Sequence, residues 1–344
     1  MKLALISDTH SGVRNDSIAF HDKSKLFYDN VFFPYLKDHL ITTIVHLGDL
    51  VDRRKYVNYY TANRLQSDFL KPIEEMGLDV HFLAGNHDCF YKTTNEVNSL
   101  RELLAYRENF HIYDMDTASV VFDQLGVIMI PWICDENRDR VISHIKRTGA
   151  DVAFGHLELK GFEMFKGILS PHGEDASLFQ KFKMVCTGHF HHKSTVKNIH
   201  YLGAHGEFTW ADYDDPRGFH ILDTNTLELT FIENPFKMFR KLVYDDVRGS
   251  DVIMNIESCM IKVIVGAKND MKAFDEYITQ VEKLNPLSLQ ILDEGQLPAK
   301  FESYGLDESQ DTLTICFHYI DSLDLKGIDK FKLKAFIAEL YSSV

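Results

Sequence analysis

A chain of 344 residues has room for one large domain and a smaller one, each with its own core. Hydrophobic residues at 45% and charged residues at 26% describe an ordinary soluble globular protein; no apolar run approaches the length of a membrane span, and the start MKLALISDTH turns polar too early for a signal peptide. The formal charge of −14 lies mostly in residues 201–344, where 14 Lys and Arg face 25 Asp and Glu, so a phosphate-directed function must import positive charge, for example as metal ions.

In chain order, KLALIS (2–7), TTIVHLGD (42–49), DVHFLAG (79–85) and DVAFGH (151–156) read as buried strands. Residues 24–39, 58–76 and 94–106 carry apolar positions at helical spacing. From about 183 the pattern becomes strand after strand, FKMVCTG, NIHYLG, GFHILD and LELTFIE, which predicts a layered α/β domain over 1–235 with an antiparallel second half. Beyond Pro235, MIKVIVGA, a helical run 270–284, LSLQILD, DTLTICFHYI and a final helix over 329–342 predict a small α+β domain over 236–344. The five cysteines, Cys89, Cys134, Cys186, Cys259 and Cys316, form no CxxC pair; reduced thiols in a cytoplasm fit them, and a cysteine zinc cage does not.

Metal-capable groups gather at the strand ends. The first strand ends in Asp8-Thr9-His10, two ligand types at i and i+2 that project to the same side of an extended chain. Then come Gly48-Asp49-Leu50-Val51-Asp52, Gly85-Asn86-His87-Asp88, Gly155-His156 and Gly188-His189-Phe190-His191. Singly, each is a turn or a chance pairing. Together they lie beyond the carboxyl ends of strands in an α/β sheet, where sites form, and the coincidences multiply toward a shared metal site. Hard oxygen donors mixed with imidazoles suit Mn²⁺, Fe²⁺ or Zn²⁺ better than a soft metal.

D-x-H, G-D-x-x-D, G-N-H-D, G-H and G-H-x-H in this order resemble the calcineurin-like metallophosphoesterase superfamily. Within it, SDTHSG, GDLVDRR and GNHD are similar to the SbcD-type DNA repair nucleases, and PWICDEN, GHLELKGFEMFKG, TGHFHH and DPRGFHILDT resemble recombination endonuclease subunits of T-even-type bacteriophages. The resemblance implies a metallophosphoesterase β-sandwich flanked by helices, capped by the small C-terminal domain. It implies two divalent ions, with Mn²⁺ favoured. One ion takes Asp8, His10, Asp49 and His191; the other takes Asp49, Asn86, His156 and His189. His87 is then the residue that stabilises the transition state and protonates the leaving oxygen. Asp52, where some relatives carry histidine, is expected to orient His87, and Asp88 to orient a neighbouring ligand or loop.

The implied activity is a metal-dependent DNA nuclease, exonucleolytic, endonucleolytic or both, working as a homodimer with an SbcC-type coiled-coil ATPase in DNA repair and recombination. It would work in the cytoplasm, that of the host if the chain is phage-encoded. Neither a small-molecule phosphoesterase or protein phosphatase of the same superfamily nor a scaffold without metal is ruled out by the motifs, although intact ligands at every motif position disfavour the scaffold. Arg14, Arg53, Arg54, Lys55 and Lys92 are candidates for phosphate contact, and a solvated surface is the simpler role for each. His192 is expected to face away from the ligands. DPRGF (214–218) reads as a turn, with Arg217 a candidate near the site.

Overall fold

The computed structural model of the chain describes residues 1–165, 167–293, 316–317, 320–321 and 329–342. Contacts divide the chain into two compact units, Met1–Gly206 with Asp215–Phe236 and Glu207–Asp214 with Lys237–Val344.

The strands of the first unit are β1 (Lys2–Ile6), β2 (Thr43–His46), β3 (Asp79–Leu83), β4 (Phe110–Tyr113), β5 (Ala118–Phe122), β6 (Leu125–Ile130), β7 (Val152–His156), β8 (Glu163–Phe165), β9 (Ile168–Leu169), β10 (Met184–Gly188), β11 (Ser194–Val196), β12 (Ile199–Tyr201), β13 (Gly218–Asp223) and β14 (Leu229–Glu233). They form two six-stranded sheets, ordered β14-β13-β1-β2-β3-β4 and β11-β12-β10-β7-β6-β5, with β8 and β9 as a separate hairpin.

The run-like hydrophobicity of the central strands follows from burial on both faces. Along β1, Leu3 and Leu5 enter the core shared by the two sheets, while Ala4 and Ile6 face the layer containing Phe27, Phe32 and Phe69. Strand β7 alternates likewise: Val152 and Phe154 point into the shared core, and Ala153 into a third cluster with Val141 and Ile145. The architecture is therefore a sandwich of two sheets with helices outside, the α/β class expected. Its second half departs from the antiparallel expectation: β10 pairs in parallel with both β7 and β12, and only β11, β13 and β14 join antiparallel. Strand propensity reports burial and pleat, and carries no direction.

Two helical runs match expectation with one refinement each. Ile18–Phe27 and Phe33–Asp38 are α-helical around a π turn at Tyr28–Phe32, and Tyr59–Leu65 and Lys71–Glu75 around another at Gln66–Leu70. Each wide turn leads into a proline, Pro34 or Pro72, whose missing N–H and bulky ring break the regular ladder. The helix expected over 94–106 is shorter, Ser99–Leu104. Asn95 spends its side chain on the carbonyls of Asp114 and Trp132, both at 2.8 Å, and Asn98 caps the helix by accepting from Arg101 N at 3.0 Å. Strands β4, β5 and β6 and the helix Arg138–Arg147 were not among the expected elements.

In the second unit β15 (Phe239–Tyr244), β16 (Met260–Val265) and β17 (Ser288–Asp293) form a parallel sheet, with the helix Met271–Lys283 connecting the last two. Asp270 caps that helix, accepting from Lys272 N and Ala273 N. The C-terminal helix spans Lys330–Ser342; Ala335 and Ala338 are buried, whereas Phe331, Phe336 and Leu340 are half exposed. The run 311–320 lies mostly outside the described residues, and Cys316, Phe317 and Ile320 within it are helical.

Candidate metal centre

Parallel pairing sets the site. Ile6 lies opposite His46, and His46 opposite Phe82, so β1, β2 and β3 end at one edge; in the other sheet Gly188 lies opposite His156. The chain leaves these strands through Asp8, Asp49, Asn86, His156 and His189, which the sandwich brings together.

Three of these residues and His10 hold left-handed backbone: Asp8 (φ 52°), His10 (42°), Asp49 (55°) and His189 (92°). For residues with a side chain this conformation costs on the order of 1 kcal/mol or more each, so the surroundings must fix them. Gly48, at φ 99°, must be glycine for two reasons, because a Cβ there would also lie 2.3 Å from His156 Nδ1. At Gly85 a Cβ would fall 2.2 Å from Asp49 Oδ1. The glycines before Asp49 and Asn86 are thus the space that lets these ligands close on their neighbours.

The distances fall into two neighbouring groups. In the first, His191 Nε2 and His10 Nε2 are 3.0 Å apart, and Asp8, His10 and His191 present donor atoms within 4.8 Å of one another. In the second, His156 Nε2 lies 3.3 Å from Asp49 Oδ2 and 3.1 Å from Asn86 Oδ1, while His189 Nδ1 lies 2.9 Å from the same Asn86 oxygen. Asp49 stands between the groups, with Oδ2 3.7 Å from His10 Nε2.

The donor set fits cations. His156 Nδ1 donates to the Leu47 carbonyl at 2.7 Å, so a neutral ring turns the bare lone pair of Nε2 toward the oxygens of Asp49 and Asn86. A positive charge among these three atoms, either a proton on Nε2 or a bound cation in its place, removes that repulsion. The electrostatics agree. Burial opposes charge on His10 and His156, yet the surrounding carboxylates, Asp52 and Asp49 for His10 and Asp49 and Asp8 for His156, lift both up to about 9. His189 moves the other way, pushed down to about 3 by burial and then by His156, and His191 falls well below the usual range by burial and by His10. Neutral imidazoles of this kind are ready ligands.

His87 stacks edge-on against His10, with ring centroids 4.8 Å apart, and Asp49, His10 and His87 form a third close group. Its Nδ1 meets the Asp52 carbonyl at 2.5 Å, which turns Nε2 toward the cluster. Asp52 reaches His87 through its main chain. The Asp52 carboxylate turns to His10 Nδ1 at 3.2 Å, and only its main-chain oxygen holds His87. Burial lowers the His87 pKa, against the pull of Asp49.

Asp88 is fully buried and accepts from Asp49 N, Leu50 N, Val51 N, Gly85 N and Ser99 Oγ, at 2.9, 3.0, 3.3, 2.9 and 3.1 Å. All five partners are donors, so the group sits there as a carboxylate that ties two ligand loops together. Burial and the charge of Asp49 nevertheless push it up to about 7.

Several supporting residues lie outside the metal-ligand motifs. His205, fully buried, stacks on Tyr28 and bonds the backbone of Asp8. Trp132 lays its ring 5.1 Å from that of His189. Among the basic candidates, Arg53 is tied to Asp16 and Tyr56, both at 2.7 Å, and to Asn15; Lys55 and Lys92 are exposed. His192 is turned from the ligands, its ring nitrogens 3.0 Å from Asp215 and 3.1 Å from Glu163.

Residues 1–193 match the family model described as calcineurin-like phosphoesterase. The chain belongs to that family. Along 344 residues it is 30% identical to exonuclease subunit 1 of Enterobacteria phage T4, covering 99% of this chain and 98% of that one. Along 284 residues it is 23% identical to the SbcD subunit of the nuclease SbcCD from Staphylococcus saprophyticus, covering 74% and 73%. A solved archaeal phosphodiesterase aligns with 68% of this chain and 99% of its own, at 17% identity and a TM-score of 0.35. The protein is a calcineurin-like phosphoesterase of the SbcD-type nuclease branch, an enzyme that hydrolyses phosphodiesters with divalent metal. Among the described residues, no helix is long and apolar enough to cross a membrane.

Proposed function

We propose that this phosphoesterase is a Mn²⁺-dependent DNA nuclease, the nuclease subunit of an SbcCD-like repair and recombination assembly. The observation that carries the reading is the pair of neighbouring donor groups with Asp49 close to both. Asp8, His10, Asp49 and His191 would hold one ion, and Asp49, Asn86, His156 and His189 the other. Bound there, two divalent ions supply positive charge to the scissile phosphate and lower the pKa of the attacking water.

The chain's own residues do the rest. Asp52 holds His10 by its carboxylate, which fixes the ring so that Nε2 faces the pocket. The Asp52 carbonyl accepts a hydrogen bond from His87 Nδ1, leaving Nε2 as the atom that would pass a proton to the departing oxygen. Burial makes the His87 imidazolium a stronger acid, which suits that step. Asp88 holds the Asp49 and Gly85 turns in place without touching substrate.

Both curated relatives are named as subunits, which supports a multi-chain assembly; for this chain we propose a homodimer joined to an SbcC-type coiled-coil ATPase, working in the cytoplasm, a host's if the chain is phage-encoded. The test is digestion of end-labelled duplex and single-stranded DNA with and without Mn²⁺, beside p-nitrophenyl phosphate. The proposal expects Mn²⁺-dependent DNA cleavage to dominate. Turnover of the small ester with intact DNA would assign a small-molecule phosphoesterase instead.

A further inference from the structure

The loop that follows β10 carries two of the proposed ligands, His189 and His191, yet residues 189–193 belong to no strand or helix. Something other than a backbone ladder must hold it. His189 N donates to both oxygens of Asp8, at 3.1 and 3.2 Å, and Phe190 packs on Tyr201, with ring centroids 4.7 Å apart. The His191 carbonyl accepts from Ala204 N at 3.1 Å and from Arg217 Nη1.

Arg217 belongs to none of the metal-ligand motifs. It is 2% exposed, and burying a guanidinium is costly unless charge and geometry are matched. The matching group is Asp215, 5% exposed, whose Oδ2 accepts from Arg217 Nη2 at 2.7 Å and lies 3.0 Å from His192 Nδ1. The other nitrogen of His192 meets Glu163 Oε2 at 3.1 Å. One buried cation therefore grips the backbone of a proposed ligand, and its counter-ion grips the ring of the next residue.

We propose that Arg217 is a positioning residue for one ion of the pair: through the His191 carbonyl it sets where the His191 ring stands against His10. A planar fork that donates in two directions does this, and an ammonium does not. The inference rests on the two-ion reading of the site. Loss of an outer partner of a metal ligand typically weakens the metal by about 10–100-fold. In the Arg217→Met protein one ion of the two should weaken by about that factor while the other keeps its affinity.

The experiment is calorimetric Mn²⁺ titration of the metal-free full-length protein, with melting of the metal-free form and DNA cleavage as a function of Mn²⁺ concentration. Arg138→Met serves as control, since Arg138 pairs with Glu174 in the same unit and is half exposed. The expected result is two binding steps in the wild type and the control, one step weakened in Arg217→Met, and cleavage restored by raising Mn²⁺. If Arg217→Met does not fold, Arg217→Lys and Glu163→Gln replace it, with the same step weakened in each, and less in Glu163→Gln. Unchanged affinities in any folded variant overturn the proposal, as does lost cleavage that extra Mn²⁺ does not restore. A wild type that binds fewer than two ions would instead sink the two-ion reading beneath it.

Discussion

Replacing Asp88 by asparagine tests whether a single buried carboxylate assembles the site. Oδ2 accepts from Asp49 N and Gly85 N, and Oδ1 from Leu50 N, Val51 N and Ser99 Oγ. An asparagine keeps one acceptor oxygen, so whichever way the amide turns, its NH₂ faces at least two N–H or O–H donors. Two buried donors left unpaired cost about 1–3 kcal/mol each, or roughly 2–6 kcal/mol together. Against a typical total of about 5–15 kcal/mol, the protein should still fold at low temperature with much reduced stability. The same change frees the left-handed turn at Asp49, so the affinity for both ions should fall together. Urea unfolding of the metal-free protein and Mn²⁺ titration read the two effects. A stability within about 0.5 kcal/mol of wild type, with unchanged metal affinity, would refute the idea that these donors hold the ligand loops.

His87→Ala should retain both ions and cleave DNA at least about a hundredfold more slowly, the usual scale for a lost general acid; near-normal rates in the metal-replete variant would make His87 structural. Because His10 and His156 are held up to about 9, both carry protons at neutral pH in the metal-free protein. Metal must displace them, so Mn²⁺ affinity should rise as pH goes from 7 toward 9, with a binding heat that depends on the buffer; equal affinity at both pH values would contradict this. Removing residues 325–344 should leave Mn²⁺-dependent cleavage of short DNA largely intact and weaken association with the ATPase, since Phe331, Phe336 and Leu340 remain half exposed. Unchanged ATPase affinity in the folded truncation would put the docking surface elsewhere.

The site was legible because its chemistry is written in short runs at strand ends. Gly-Asp, Gly-Asn and Gly-His announce themselves, since a ligand closing over its neighbours excludes any side chain before it, as Gly48 and Gly85 show. Central strands were legible for a related reason: β1 and β7, buried on both faces, leave unbroken apolar runs. What lay hidden depends on distant partners. The direction of β10 is set by its neighbours β7 and β12, and residue type does not encode it. The start of the helix at Ser99 is decided by Asn95 reaching carbonyls 19 and 37 residues away. Asp52 illustrates the limit within the site itself. Its place beside the motif was plain, but only the fold shows that its carboxylate serves His10 and its carbonyl serves His87. Arg217, in a turn that reads as ordinary, became meaningful once its guanidinium was found buried against His191.

The most direct test of the two-ion account is elemental analysis of the wild type and Asp49→Ala, each reconstituted with Mn²⁺ and desalted, with DNA cleavage measured on the same samples. Asp49 alone belongs to both proposed ligand sets, so its loss should empty the pair together. The account predicts two manganese ions per wild-type chain, next to none in Asp49→Ala, and cleavage lost with them. A variant that keeps one tightly bound ion would contradict the shared role of Asp49, and one that cleaves DNA without metal would contradict the mechanism.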